Sequence, residues 1–191
     1  YVPAVLALGW SGKWDSLPAA RAAAIVADLI VVLGLVLVGR RFGGTRLAAT
    51  LSFAWLAFPF TAYVLATSSN DAIMPAFLVW GFWLATSHPA RGALLALAGW
   101  TKFAALLLAP LWLTYPSGLR LRAALRFSIG FSAVTAAAFS VLLLEPGLVE
   151  AVRTFSERTL RFQFDRESPF SVWGWGQYDA AGIPDLSLLQ R

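Results

Sequence analysis

The residues able to do chemistry are few, and the first of them is a lysine inside an apolar run. Lys102 lies within residues 92–115, among aliphatic and aromatic side chains. An ionisable group at membrane depth is costly, so we expect Lys102 to face a cavity or a charged partner. Because an ammonium binds phosphate oxygens as a strong point charge, a phosphate clamp is the functional hypothesis. The alternative is a lysine that snorkels or pairs with Asp28 for packing.

A second candidate is Asn70-Asp71, which follows an apolar segment in a stretch without Lys or Arg. A carboxylate there can position a sugar hydroxyl, an amine or a metal ion, so a divalent metal stays an open alternative. The competing interpretation is a helix N-cap, a position that Asn and Asp favour. Asp28, further upstream, is expected to accept a hydrogen bond from a neighbouring helix.

Two arginines near the C-terminus, Arg161 and Arg166, are candidates for binding anionic lipid or a lipid phosphate. The acidic residues that flank Arg166 resemble a metal motif, but a solvated loop explains them better. The sequence has one histidine and no cysteine, which excludes histidine clusters, thiolate metal sites and disulfides. No residue is assigned as a metal ligand, and a divalent metal held by carboxylates stays the open alternative.

Composition indicates the environment of these residues. Hydrophobic residues make up 59% of the 191 residues and charged residues 13%, while mean hydropathy is +0.69. A soluble fold of this size could not cover its surface with so few charges, so we predict an integral membrane protein. The net charge of +5 is too small and too dispersed for a nucleic-acid-binding surface. Because the sequence begins at Tyr1 without Met, we expect a fragment that lacks its N-terminal part.

The apolar runs predict an all-α polytopic bundle with about four full spans. Lys and Arg set the orientation. Arg40, Arg41 and Arg46 place the first connection in the cytoplasm, whereas residues 67–71 have no Lys or Arg and lie outside. The predicted transmembrane region covers residues 1–144, with an external segment at 1–21 and spans at 22–39, 47–66, 72–86 and 123–144.

Residues 92–115 do not fit this alternation as a single crossing. One crossing would place Arg120, Arg122 and Arg126 outside, on the disfavoured side. We therefore favour a re-entrant helical hairpin with arms at 92–103 and 104–115, each about 18 Å long. Such a hairpin places Lys102 at the floor of an outward-facing cavity.

The hairpin also places residues 145–191 outside. Within them, residues 147–164 are predicted to form an amphipathic helix in the membrane interface. Its apolar face has Leu148, Val149, Val152, Phe155 and Phe162, and its polar face has Glu150, Arg153, Glu157 and Arg161.

Three segments together resemble the GT-C superfamily of integral membrane glycosyltransferases. Tyr1-Val-Pro3 is similar to the Tyr-Pro-Pro segment that follows the first external loop in that family. Asn70-Asp71 and the residues after it resemble the external Asn-Asp stretch that heads a membrane helix. Gly99-Trp-Thr-Lys-Phe103 with Leu106–Pro110 resembles the Leu-Thr-Lys hairpin of that family. Residues 168–174 also resemble a segment of such proteins. The arrangement is closest to the polyprenol-phosphate-mannose-dependent group, glycosyltransferase family 87, of the actinobacterial type.

The resemblance implies an inverting transfer of a sugar, mannose or another hexose, or a pentose, from a polyprenyl-phosphate donor. The acceptor would be a glycolipid or glycan on the outer face of the plasma membrane. The family's catalytic carboxylate lies in the first external loop, which would precede Tyr1, so no catalytic residue is assigned in this chain. The expected substrate-binding residues are Asn70, Asp71, Lys102, Arg161 and Arg166. A multi-pass transporter and a non-catalytic membrane assembly subunit remain the alternatives.

Overall fold

The computed structural model describes residues 2–9, 17–116 and 118–162, and every regular element in them is helical. The predicted all-α class is therefore confirmed for these residues. The α-helices are α1 (Val2–Leu8), α2 (Pro18–Ala57), α3 (Pro59–Ala66), α4 (Ile73–Trp83), α5 (His88–Thr101), α6 (Ala109–Thr114), α7 (Leu121–Phe139) and α8 (Leu148–Phe155). Two 3₁₀ helices, Phe103–Leu108 and Ser140–Leu144, and one π-helix, Ser156–Arg161, join them.

Two of the described helical stretches are long and apolar enough to cross a membrane. They are Pro18–Ala57 and Leu121–Leu144, and the apolar stretches Ile73–Trp83 and Phe103–Thr114 are shorter. The run at 72–86, predicted to be a short span, forms only the 11 residues of α4. Membrane character is thus supported at the level of two candidate spans.

Helix α2 folds back on itself at Gly43 and Gly44. Both residues leave helical geometry, and Gly44 has a φ of +71°, which glycine adopts without steric cost. Asp28 and Trp55 are 27 positions apart yet joined by a hydrogen bond, whereas a continuous helix would separate them by about 40 Å. Residues 18–42 and 45–57 are therefore two antiparallel arms, in the places predicted for the first two spans.

The second predicted span, 47–66, is interrupted at Phe58. This residue is extended (φ −74°, ψ 123°) and precedes Pro59, which starts α3. Proline lacks an amide hydrogen and disfavours helical geometry in the residue before it. The apolar run is consequently two helices rather than one.

Helix α4 packs beside the first arm of α2 and runs in the same direction. Trp80 Nε1 donates a hydrogen bond to the Ile30 carbonyl at 3.1 Å. Further along both helices, Arg41 Nη1 donates to the Trp83 carbonyl. The start of α4 therefore lies near the middle of that arm, and its end lies near the Gly43–Gly44 reversal.

Helix α5 and the segment 103–114 form an antiparallel pair. Contacts join Arg91 to Tyr115 at one end, Leu95 and Trp112 share one core cluster, and a Cβ added at Gly99 would overlap Leu106. The chain reverses at Lys102, whose backbone is extended (φ −149°, ψ 120°). The reversal occurs where the sequence predicted it, although the return arm begins as a 3₁₀ helix.

Helix α7 crosses α5 where glycines bring the two backbones together. A Cβ at Gly92 would overlap the Phe127 carbonyl oxygen, and a Cβ at Gly130 would overlap the Pro89 carbonyl oxygen. Further along, Trp100 Nε1 donates to Thr135 Oγ1 at 2.9 Å. These contacts place the crossing at Pro89–Gly92 of α5 and Phe127–Gly130 of α7.

By its internal contacts the chain divides into two compact units, residues 1–138 and residues 139–191. In the second unit, the Phe139 and Phe155 rings meet edge to face with centroids 4.9 Å apart. The amphipathic helix predicted over 147–164 is helical through Phe162 but not uniformly α-helical, since the π-helix follows α8. The i→i+5 bonding of a π-helix shifts the register of the residues that follow, so Arg161 and Phe162 leave the faces predicted from a 3.6-residue period.

Candidate functional site

Two of the predicted substrate-binding residues lie together. The Lys102 ammonium at the α5 reversal forms an ion pair with Asp71 Oδ1, just before α4. The side chains are 40% and 42% exposed, respectively. Lys102 thus has the charged partner that its apolar sequence context predicted. The alternative partner, Asp28, is not the one it contacts.

The ion pair lines a cavity of about 290 Å³. Its wall combines charged and aromatic side chains from α2, α3, α4 and the α5 reversal: Asp28, Trp55, Phe58, Phe60, Thr61, Val64, Asp71, Ala72, Met74 and Lys102. Few polar groups in a mostly apolar concavity are typical of small-molecule sites, where the polar groups fix the orientation of the ligand.

Asp71 is held in its ionised form. The hydrogen bond from Lys102, followed by one with Ser69, lowers the pKa of the Asp71 carboxyl from its ordinary value, although burial opposes this. The N-cap interpretation is wrong for this carboxyl, because the cap residue of α4 is Ala72 and no side chain caps the helix. Its charge faces the lysine instead.

Asp28 is a second carboxylate on the cavity wall. It is 6% exposed and accepts a hydrogen bond of 2.7 Å from Trp55 Nε1, on the other arm of α2. This agrees with the expectation that a neighbouring helix would supply its donor. Thr61 Oγ1 in turn donates to the Trp55 carbonyl at 2.8 Å, which ties α3 to the same wall.

An apolar groove of about 670 Å³ adjoins the cavity. Helix α1, the first arm of α2 and the start of α4 line it with alanine, aliphatic and phenylalanine side chains. Ala27 and Ile73 line the groove, whereas their chain neighbours Asp28 and Ala72 line the cavity. The charged cavity and the apolar groove are therefore lined by neighbouring residues of the same helices.

The other predicted site residues are elsewhere. Asn70 is exposed and does not line the cavity, although it precedes Asp71. Arg161 ends the π-helix of the second unit, and Arg166 lies outside the described residues. In the described part of the chain, no three His, Cys, Asp or Glu side chains are grouped to hold a metal ion.

Sequence reasoning missed the aromatic wall of the cavity. Trp55 and Phe58 fall within the predicted span 47–66, and no local pattern indicates their approach to Asp28, because it depends on the fold-back of α2. The adjacent glycines Gly43 and Gly44 were the available signal for this fold-back.

Comparisons with protein-family models, curated proteins and solved structures gave no match for this chain.

Proposed function

We propose that the chain belongs to an integral membrane glycosyltransferase that uses a polyprenyl-phosphate sugar donor at the outer face of the plasma membrane. The observation that carries the proposal is the Lys102–Asp71 ion pair on the wall of a cavity that adjoins an apolar groove. A lipid-linked sugar has the same parts in the same order: a polar sugar, a phosphate and a long apolar chain.

Each part of the donor has a counterpart. The Lys102 ammonium binds the phosphate, the ionised Asp71 accepts a hydrogen bond from a sugar or acceptor hydroxyl, and the groove holds the prenyl chain. The ion pair is nearly half exposed, and such pairs are held by about 1 kcal/mol or less. An incoming phosphate can therefore exchange with Asp71 at little cost.

The proposed placement in the membrane has four spans, the re-entrant hairpin at 92–115 and the tail at 145–191 outside. The reversal at Lys102 supports the hairpin, because it returns Tyr115 to Arg91, whereas a single crossing of 92–113 would have placed these two residues at opposite ends. Arg161 and Arg166 are proposed to meet lipid phosphates, and a glycolipid or glycan is the proposed acceptor.

The test is binding of a polyprenyl-phosphate sugar to the chain in phosphatidylcholine nanodiscs, followed by sugar transfer in membranes that express the gene. Lys102→Met should weaken donor binding and transfer by about ten- to a hundredfold, since a charge-assisted contact contributes about 1.5–3 kcal/mol. Lys102→Arg should recover part of the loss because it keeps the charge.

Arg46→Met is the matched control, because it removes an exposed cation that does not line the cavity. Undiminished donor binding by Lys102→Met, with Arg46→Met also unchanged, would remove Lys102 from the site. Binding without any transfer would leave a donor-binding subunit as the better account.

A multi-pass transporter is the second candidate. The observation that favours it is a Lys–Asp pair beside helices interrupted at Gly43–Gly44, at Phe58 and at Lys102, since broken helices form the sites of many transporters. Sugar uptake into proteoliposomes that depends on Lys102, in the absence of lipid-linked donor, would favour this function over transfer.

A further inference from the structure

The most deeply buried cation of the described residues is Arg91, at the other end of α5 from Lys102. Arg91 lies in the first turn of α5 and is 1% exposed. Its Nη1 donates to the Tyr115 carbonyl at 2.9 Å, and its guanidinium lies 5.5 Å from the centroid of the Tyr115 ring. An arginine does not lose its proton in a protein, so a full positive charge is buried here.

Two of the three guanidinium nitrogens of Arg91 lack a partner. Nε and Nη2 are buried, and no described residue accepts a hydrogen bond from either. These nitrogens share one edge of the planar group, and their N–H bonds point in nearly the same direction. This edge matches two oxygens of a phosphate or carboxylate, in the bidentate geometry that arginine favours.

Arg91 is part of the wall of a cavity of about 230 Å³. The rest of the wall is aromatic and aliphatic: Phe42, Phe82, Ala85, Leu111, Trp112 and Tyr115. The volume is several times the roughly 30 Å³ that one water occupies in the liquid. A ligand of this cavity must therefore be anionic at one end and apolar at the other.

Among the residues that the structure describes, no carboxylate pairs with Arg91. Residues 29–70 and 72–144 contain no Asp or Glu, and Asp71 is bound to Lys102 at the opposite end of α4. Arg41, which donates to Trp83 beside Phe82, adds positive charge to the same end. A buried cation without a counter-charge is strongly unfavourable, so an anion that binds in this cavity would stabilise the fold.

We propose that the Arg91 cavity binds a phosphate oxyanion carried by a lipid. The Nε–Nη2 edge holds two phosphate oxygens, and the aromatic wall covers the first carbons of the lipid. By the distribution of arginines, this end faces the cytoplasm, where anionic lipid is the abundant amphiphilic anion. The site is distinct from the Lys102 cavity and does not rest on the proposed glycosyltransferase function.

The test measures melting temperature in dodecyl maltoside micelles, whose detergent has no phosphate, with and without phosphatidylglycerol. We expect phosphatidylglycerol to raise the melting temperature of the parent chain by about 3–8 °C, the shift that ligand binding produces in a chain of this length. Arg91→Met should lose this shift, whereas Arg46→Met, which removes an exposed arginine at the same end, should keep it. An equal shift in Arg91→Met and in the parent would overturn the proposal.

A misfolded variant cannot imitate this result. In dodecyl maltoside alone, Arg91→Met should melt at or above the temperature of the parent, because it removes a buried charge that has no counter-ion in that detergent. Arg91→Lys should keep only part of the shift, since an ammonium cannot present the paired N–H edge. A third arm replaces phosphatidylglycerol with inorganic phosphate, and an equal shift there would overturn the assignment to a lipid.

Discussion

Helices α4 and α5 each connect two charged regions, and the two regions hold their cations in different ways. At one end, Lys102 is 40% exposed and paired with the ionised Asp71. At the other, Arg91 is 1% exposed and has a backbone carbonyl and an aromatic ring as its contacts. Within the described residues, the first cation has a counter-charge and the second has none.

This difference separates a replaceable charge from a fixed one. A half-exposed ion pair in a wet cavity contributes little energy, so a ligand can displace one partner and occupy its place. A buried guanidinium cannot be rehydrated without opening the helix packing, so its charge is always present for an anion that reaches it. Exchange of Asp71 for a ligand phosphate therefore suits the Lys102 end. Long-lived lipid binding suits the Arg91 end.

The comparison requires that the two ends face opposite sides of a membrane. Because the chain has no cysteine, single cysteines can report on this directly. We expect Thr67→Cys, near Asp71, to react fully with an impermeant thiol reagent in intact cells. Thr45→Cys, beside the Gly43–Gly44 reversal, should react only after permeabilisation; both positions are exposed. Glu150→Cys, exposed and on the predicted polar face of the tail helix, should react like Thr67→Cys if the tail is external.

Equal labelling of Thr67→Cys and Thr45→Cys in intact cells would contradict a spanning arrangement of these helices. Labelling of Glu150→Cys only after permeabilisation would reject the re-entrant hairpin and favour a single crossing of 92–113.

The next largest effect concerns the rigidity of the two ends of α5. A Cβ at Gly92, beside Arg91, would overlap the Phe127 backbone, whereas a Cβ at Gly99, near Lys102, would overlap only the Leu106 side chain. Backbone must shift in the first case, but a leucine can change rotamer in the second. Gly92→Ala should therefore lower the free energy of unfolding by about 3 kcal/mol and Gly99→Ala by about 1 kcal/mol. Chemical denaturation in mixed micelles measures both, and equal losses would contradict this ranking.

Sequence reasoning found the lysine but not its partner. The apolar context of Lys102 was sufficient to predict a charged or wet environment. Whether Asp28 or Asp71 would be the partner depended on how α4 lies against α2, and no local pattern encodes that. The parallel packing of the two helices, fixed by contacts such as Trp80 to Ile30, brings the start of α4 to the α5 reversal.

By the predicted bounds, Arg91 lies in the connection between the span 72–86 and the hairpin 92–115. The structure instead includes it in α5 and buries it with Trp112 and Tyr115. That burial comes from residues more than twenty positions later in the chain, so hydropathy around Arg91 carried no sign of it. The helix breaks, by contrast, were legible locally, in the Gly43–Gly44 pair and in Pro59.

The smallest expected effect is the contribution of the Lys102–Asp71 ion pair to stability. Asp71→Asn should lower the free energy of unfolding by about 1 kcal/mol or less at neutral pH, because the two side chains are 40% and 42% exposed and solvent weakens their attraction. The pKa of Asp71 is lowered in the folded state from an ordinary value of 3.8. The contribution is therefore complete well above pH 3.8 and is lost as the pH falls through the lower, folded-state pKa.

Unfolding measured from neutral pH to about pH 3 should show the parent and Asp71→Asn converging at the acid end. A double-mutant cycle with Lys102→Met isolates the pair from other effects of either substitution. Arg91→Met is the contrasting control, since arginine keeps its proton throughout this range and any stability difference should not follow the titration of Asp71. A loss of several kcal/mol in Asp71→Asn would mean that the Lys102–Asp71 ion pair contributes strongly to stability. The exchange of Asp71 for a donor phosphate would then be too costly for the proposed site.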